Sequence, residues 1–251
     1  MQRVLVTAGA AGIGREIVRA FAANGAAVFT CVIDAEGLAA LAGEIPGLGT
    51  MVCDVADQAA VARMVAAAAE ALGGLDVLVN NAGIGGPTAA VEDMEPEAWE
   101  RVLAVNLTGT FLVTHAAIPH MKRAGGGAII VMSSVAGRFG YPNRSPYATS
   151  KWGLIGFTKT LAIELGPWAI RANAILPGAV EGPRGDRVYQ GRAELSGRTP
   201  EEEKRLAMRV QSLQRLVDPR DIAALAVFLA SDAGKSISGQ ALPIDNDMQT
   251  A

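Results

Sequence analysis

Residues 3–14 read Arg3-Val4-Leu5-Val6-Thr7-Ala8-Gly9-Ala10-Ala11-Gly12-Ile13-Gly14, and the fold is decided there. Val4–Thr7 is a short apolar run of strand character, and Ile13–Ala23 has the pattern of a helix. Between them lie Gly9, Gly12 and Gly14. Glycine lets a backbone turn tightly and approach a pyrophosphate, which then rests on the free N–H groups of the following helix. Alone, such a turn is a loop of small residues. The strand before it and the helix after it make it a candidate phosphate site.

The same alternation continues outward. Further strands are expected at Ala27–Ile33, Met51–Cys53, Leu75–Val79, Ala128–Met132, Ala169–Ile175 and Ala241–Ile244. Helices are expected at Val61–Leu72, at Glu97–Arg123 after the Pro96 start signal, at Tyr147–Leu165 and at Asp218–Ala230. A Gly/Pro-marked connection joins the second and third strands. Repeated βαβ units imply an α/β protein, a Rossmann-type doubly wound parallel sheet of about seven strands with helices on both faces. No linker, repeat or low-complexity segment divides residues 1–251, so one dinucleotide-binding and catalytic domain is expected. Gly182–Leu216 stands apart as polar, arginine-rich and only partly helical. Ligands of such sheets bind outside the carboxyl ends of the strands.

Half the residues are hydrophobic, 19% are charged and the net charge is −3. That balance supplies a large core and no electrostatic footprint for nucleic acid or an anionic membrane. No apolar run approaches ~18 uninterrupted residues, and the chain enters a strand at once, so neither a membrane span nor a signal peptide is expected. A soluble, cytoplasmic protein follows as the expectation. Cys31 and Cys53 sit in apolar runs without metal-ligand spacing and read as buried small hydrophobes; no metal site is expected. His115 and His120 read as core or surface positions. Trp99, Trp152 and Trp168 read as packing residues, and Glu201-Glu202-Glu203-Lys204-Arg205 as the solvated start of a helix.

The glycine turn resembles the Thr-Gly-x-x-x-Gly-x-Gly turn of the short-chain dehydrogenase/reductase family, in its branch of about 250 residues. Gly12 and Gly14 match; Ala8 stands where the first glycine is usual, with Gly9 one residue later. Further matches follow in family order. Asp54-Val55 resembles the pair that contacts adenine. Asn80-Asn81-Ala82-Gly83 resembles the motif that supports the sheet and borders the cofactor. Pro177-Gly178 resembles the turn that meets the nicotinamide. The resemblance runs from Val4 to Asp245. It implies cofactor contacts from Gly9, Gly12, Ile13, Gly14, Asp54, Val55, Asn81, Ala82, Gly83, Pro177, Gly178 and Val180.

Tyr147-Ala148-Thr149-Ser150-Lys151 places Tyr147 and Lys151 four apart, on one helix face. A free tyrosine, with a pKa of about 10, is a poor base at neutral pH. A neighbouring ammonium favours the phenolate, so the pair can exchange a proton with a substrate oxygen. Ser134, 13 residues before Tyr147 at the end of the fifth strand, matches the family's catalytic serine, which hydrogen-bonds the reacting oxygen. Asn106 matches the asparagine that supports a proton relay through water. By resemblance Lys151 also holds the nicotinamide ribose hydroxyls. The implied activity is NAD(P)-dependent interconversion of a small secondary alcohol and its ketone. A 3-oxoacyl-thioester (acyl-carrier-protein) reductase is the alternative. Enoyl reductases of the family space the tyrosine and lysine more widely, and a non-catalytic cofactor sensor should have lost the Ser/Tyr/Lys set.

Three finer expectations concern cofactor, substrate and assembly. An acidic residue about 20 positions past the glycine turn usually binds the adenosine ribose 2′-hydroxyl. The family's position falls on Val32; Asp34 shares its side if the strand continues. No Lys or Arg occurs between Arg19 and Arg63, so a 2′-phosphate would lack a cation unless Arg15 turned toward it, and NAD is expected over NADP. Arg138 and Arg144 precede Tyr147, and Arg184 and Arg187 follow Pro177-Gly178. By resemblance these segments border the substrate cavity, the second as a lid around 182–216. Guanidinium groups recognise carboxylate, phosphate or sulfonate, so Arg138, Arg144 and Arg184 are candidate contacts for a small anionic substrate; pairing with Asp186 or Glu181 on the surface is the other possibility. Gly182 stands where the family has a nicotinamide-contacting threonine. The family's usual helix pairing implies a homotetramer, or failing that a dimer, here through Leu103, Leu107, Phe111, Leu154, Phe157 and Leu161; packing of these faces on the sheet alone is the other possibility.

Overall fold

Val4, Leu5 and Val6 are wholly buried because the strand they form lies inside a sheet covered on both faces. The computed structural model describes residues 1–249. Strand β1 (Arg3–Thr7) is followed by α1 (Gly12–Ala23), β2 (Ala27–Val32), α2 (Ala35–Glu44), β3 (Gly49–Val52), α3 (Gln58–Leu72) and β4 (Val77–Asn80). Then come α4 (Pro96–Leu103), α5 (Gly109–Ala124), β5 (Gly127–Met132), α6 (Ser145–Leu165) and β6 (Ile170–Pro177). The chain closes with α7 (Pro183–Ser196), α8 (Pro200–Arg209), α9 (Pro219–Ala230) and β7 (Ala241–Ile244). All pairings are parallel, in the order β3-β2-β1-β4-β5-β6-β7. Strand order therefore reverses between β1 and β4, which opens a crevice at their carboxyl ends.

Alternation along each strand splits the core in two. Val4, Val6, Val77 and Val79 pack with Ile17, Phe21 and Ala226 of α1 and α9. Leu5, Leu78 and Ile129 pack with residues of α3, α5 and α6 on the other face.

Several expectations change at this level. The connection after β2 contains a helix, α2, whose apolar stripe is only Leu38 and Leu41 and is interrupted by Gly37 and Gly43. Strand β2 stops at Val32, so Asp34 does not extend it; Asp34 caps α2, its Oδ1 accepting from Gly37 N at 3.1 Å. Ala169 lies in a left-handed turn, and β6 starts one residue later. The long helix is two α-helices joined by a π turn at Ala104–Thr108. That composite, Pro96–Ala124, is long and apolar enough to cross a membrane, and Val102, Val113, Ala117 and Met121 bury it in the core. Leu154 and Leu161 are likewise buried, so of the expected apolar faces Phe111 stays exposed on α5, and α6 shows Trp152 and Ile163 instead. Trp152 and Trp168 are about half exposed rather than packed. In α8 the acidic run is not wholly solvated: Glu202 forms a capping box with Thr199, and Glu203 is buried against Ser196 and Arg198.

Ala8 has φ +55°, a conformation that costs a side chain about 1–2 kcal/mol. Ala8→Gly relieves that cost and gives back about 0.4–1 kcal/mol through the more flexible unfolded chain. Thermal unfolding should show the variant more stable by about 0.5–1 kcal/mol, a rise in Tm of about 1–4 °C. A lower Tm would mean that the left-handed turn is not strained.

Candidate active site

The glycine turn is tied to the end of β4 by one hydroxyl. Thr7 Oγ1 accepts from Asn81 N (3.0 Å) and Ala82 N (2.9 Å), and Asn81 Nδ2 donates to the carbonyls of Thr7 and Ala8, each at 3.1 Å. A Cβ on Gly14 would overlap the Ala8 carbonyl oxygen, and one on Gly9 would overlap Thr30 Oγ1. Underneath, the turn has no room for side chains. At Gly12, with φ +52°, nothing lies within 4 Å of a Cβ position, so this side is open. Helix α1 has no side-chain cap and no acid in its first turn, which leaves the amides of Gly12, Ile13 and Gly14 for an anionic ligand. These residues fit a dinucleotide pyrophosphate. When bound, such a cofactor supplies the hydride-carrying nicotinamide carbon.

On the adenosine side, Asp34 is exposed at the start of α2. Asp54 Oδ1 accepts from Ala56 N (2.9 Å), and its Oδ2 pairs with Arg101 Nη2 (3.0 Å). Val55 is buried under Gly109. On the other side, a Cβ on Gly83 would lie 3.2 Å from Asn106 Oδ1 and 3.6 Å from Lys151 Nζ. Gly178 N donates to Ile244 O (3.1 Å), and Val180 bridges Val217 in parallel. Gly182, the N-cap of α7, has φ +119°. A threonine would be strained in that conformation.

The four predicted catalytic residues converge at the carboxyl ends of β4 and β5. Lys151 is buried, and its Nζ donates to Met132 O (2.7 Å) while sitting 5.6 Å from the Tyr147 ring centroid. Burial lowers the ammonium to a pKa of about 8, with Tyr147 opposing the shift and Arg184 adding to it. Asn106, in the π turn, is fully buried. Its Oδ1 accepts from Ile84 N (2.7 Å), and its Nδ2 donates to Ile84 O (3.0 Å) and Ser150 Oγ (3.1 Å). Ser150 Oγ in turn donates to Tyr147 O (2.7 Å). Ser150 and Ser133, whose hydroxyl donates to Lys151 O (2.8 Å), hold the Tyr/Lys helix against the sheet. Neither serine stands out in the sequence. Both adjoin recognised residues, but only the fold aims their hydroxyls.

Burial raises the pKa of Tyr147, but Arg184, Lys151, the facing Ser134 hydroxyl and Arg144 outweigh it and leave the phenol below its ordinary value. Two of these groups were expected at the substrate cavity. Arg144 is 4% exposed, its Nη2 donates to Gly85 O (2.9 Å), and its Nε is buried without a partner. Its Cζ lies 5.3 Å from the Tyr147 ring centroid, and that of Arg184 lies at 5.7 Å. Arg184 Nη1 donates to Gly83 O (3.2 Å). Among the described residues no carboxylate pairs with either, Asp186 and Glu181 included. Arg138 is placed differently: it stacks on Phe139 and approaches Asp245 Oδ2 at 3.9 Å.

A family model described as enoyl-(acyl carrier protein) reductase matches residues 8–248, and the chain belongs to the short-chain dehydrogenase/reductase family. It is an NAD(P)-dependent oxidoreductase of alcohols and ketones. A D-β-hydroxybutyrate dehydrogenase of Cupriavidus necator is 38% identical, over 94% of this chain and 93% of that one. A 3-oxoacyl-[acyl-carrier-protein] reductase of Thermotoga maritima is 37% identical, over 97% and 96%. The crystal structure of a single-residue variant of actinorhodin polyketide ketoreductase with NADPH superposes with a TM-score of 0.94 at 33% identity, covering 98% of this chain and 96% of that one.

Tyr147→Phe keeps the ring and removes the proton donor. The variant should fold as the parent does and lose about 10²–10⁴-fold in kcat, as expected for a positioned acid/base. Circular dichroism and an assay of nicotinamide absorbance test the two halves of this expectation. Near-parental turnover would take Tyr147 out of the chemistry.

Proposed function

We propose that this enzyme moves a hydride between NAD and a small secondary alcohol or ketone that carries a carboxylate or similar anion. The observation that carries the substrate class is Arg144: a buried guanidinium without an acidic partner, beside the Tyr147 ring, with Arg184 on the same ring. Leaving such a charge unpaired inside a protein is costly unless a ligand supplies the counter-charge. Arg138, engaged with Asp245, is the weaker contact of the three.

In this reading Ser134 orients the substrate oxygen and Tyr147 exchanges the proton with it. Lys151 favours the phenolate and would hold the nicotinamide ribose hydroxyls, and Asn106 supports the proton relay. For the cofactor, Asp34 opens α2 just past β2, where it would meet the adenosine ribose. Arg15, the basic residue that would have to turn toward a 2′-phosphate, is paired with Glu44, as is Arg19. Both features support NAD over NADP.

Steady-state kinetics with both cofactors, on hydroxy acids and their amides, test this. NAD and the acids should give the higher kcat/KM. Arg144→Ala should raise KM for the acid by about 10–100-fold, the value of a charge-assisted hydrogen bond, and spare the amide. A clear preference for NADP would overturn the first inference, and equal effects on acid and amide the second.

Assembly follows the exposed apolar side chains of α5 and α6. Phe111 and Trp152 are 48% and 52% exposed, and Phe111 contacts Phe157 with ring centroids 6.4 Å apart. We expect a homotetramer built across these faces. Light scattering at micromolar concentration should give about four times the 25.9 kDa chain mass; a monomer mass would refute the assembly.

A further inference from the structure

Three cations surround the Tyr147 ring, and they do not belong to the same part of the fold. Lys151 is anchored by Met132 O at the end of β5, and Arg144 by Gly85 O in the loop that follows β4. Arg184 alone is carried by α7. Its bond to the Gly83 carbonyl crosses from that helix to the end of β4. Helix α7 rests on the loops around the site at two further places. A Cβ on Gly191 would lie 2.8 Å from Thr88 Oγ1, and the Arg192 Cζ sits 5.1 Å from the Tyr141 ring centroid. The stem below is pinned, since Val180 and Val217 bridge and Glu181 N donates to Val217 O (3.1 Å). Gly182, at φ +119°, is the joint between pinned stem and helix.

We propose that Arg184 is a positioning residue for proton transfer: its guanidinium completes the cation cage around Tyr147, so the readiness of the phenol to give up its proton depends on how α7 is seated. The groups that face the phenol are Arg184 from α7, Lys151 from α6, Arg144 from the N-cap of α6, Ser134 from the end of β5, and the Tyr141 ring at 6.4 Å. Arg184 exerts the largest of the charge effects that favour the phenolate. This role rests on Tyr147 being the proton-exchanging group and adds to any contact Arg184 makes with a substrate anion. Oxidation of an alcohol uses the phenolate and reduction of a ketone uses the phenol. Loss of the Arg184 charge therefore slows the oxidation of a neutral alcohol most on the acid side of its pH profile.

The test is a titration of phenolate absorbance in the substrate-free protein. Each protein is measured against its own Tyr147→Phe counterpart, so only Tyr147 is read. Arg184 is exposed, so its variants should fold. Arg184→Gln should raise the midpoint by about 0.5–1 pH unit, less than a buried charge pair would give because solvent screens the exposed guanidinium. Arg184→Lys should return most of that shift. With a neutral secondary alcohol, the acid limb of the oxidation profile should move up by the same amount. An unmoved midpoint in Arg184→Gln, or a rate loss equal at all pH values, would overturn the proposal. The titration needs no substrate, so it still decides the matter if the alcohol activity is not found.

Discussion

The Thr7 hydroxyl, accepting from two successive amides at the end of β4, is the contact on which the site depends. Strand order reverses between β1 and β4, so the loops above them diverge and would leave their backbone groups unpaired. One hydroxyl and the Asn81 amide satisfy those groups and bind the glycine turn to Asn81-Ala82-Gly83. The phosphate side and the catalytic side thereby become one rigid edge. Gly83 then packs on Asn106 and Lys151, so the geometry passes on to the tyrosine helix.

The catalytic half shows what the fold gives up for chemistry. Lys151 and Arg144 are both buried, and neither has an acidic partner among the described residues. Two buried cations without counter-charges are a poor way to stabilise a fold. They are a good way to make a phenol acidic, since their field acts where water cannot screen it. The core on either side is ordinary close-packed aliphatic, and it holds this arrangement in place. The π turn belongs to the same compromise: it is where the long helix brings the Asn106 side chain to Ile84 and Ser150.

Much of the site was legible in the sequence, and the reason is local. The glycine turn, the Tyr147/Lys151 pair and Ser134 after its strand depend on spacing within one or two turns of backbone. What was not legible depends on where distant backbone lies. Asp34 shares the side of Val32 only if the strand continues; it caps a helix instead, because α2 carries too thin an apolar stripe to announce itself. Leu154 and Leu161 looked like an outer face but fill the core, since their helix offers apolar residues on several sides.

By itself, then, the sequence determined the seven strands, the helices of strong periodicity between them, the parallel sheet and, with the family resemblance, the residues of the site. The strands, the helices and the sheet follow from periodicity, the Tyr147/Lys151 pair from short-range spacing, and the roles of Ser134 and Asn106 from the resemblance. Only the tertiary structure decided the fate of the arginines: Arg144 and Arg184 turn to Tyr147, and Arg138 turns to Asp245. A long, flexible cation goes wherever carbonyls, rings and carboxylates from remote segments meet it, and no local pattern records that meeting.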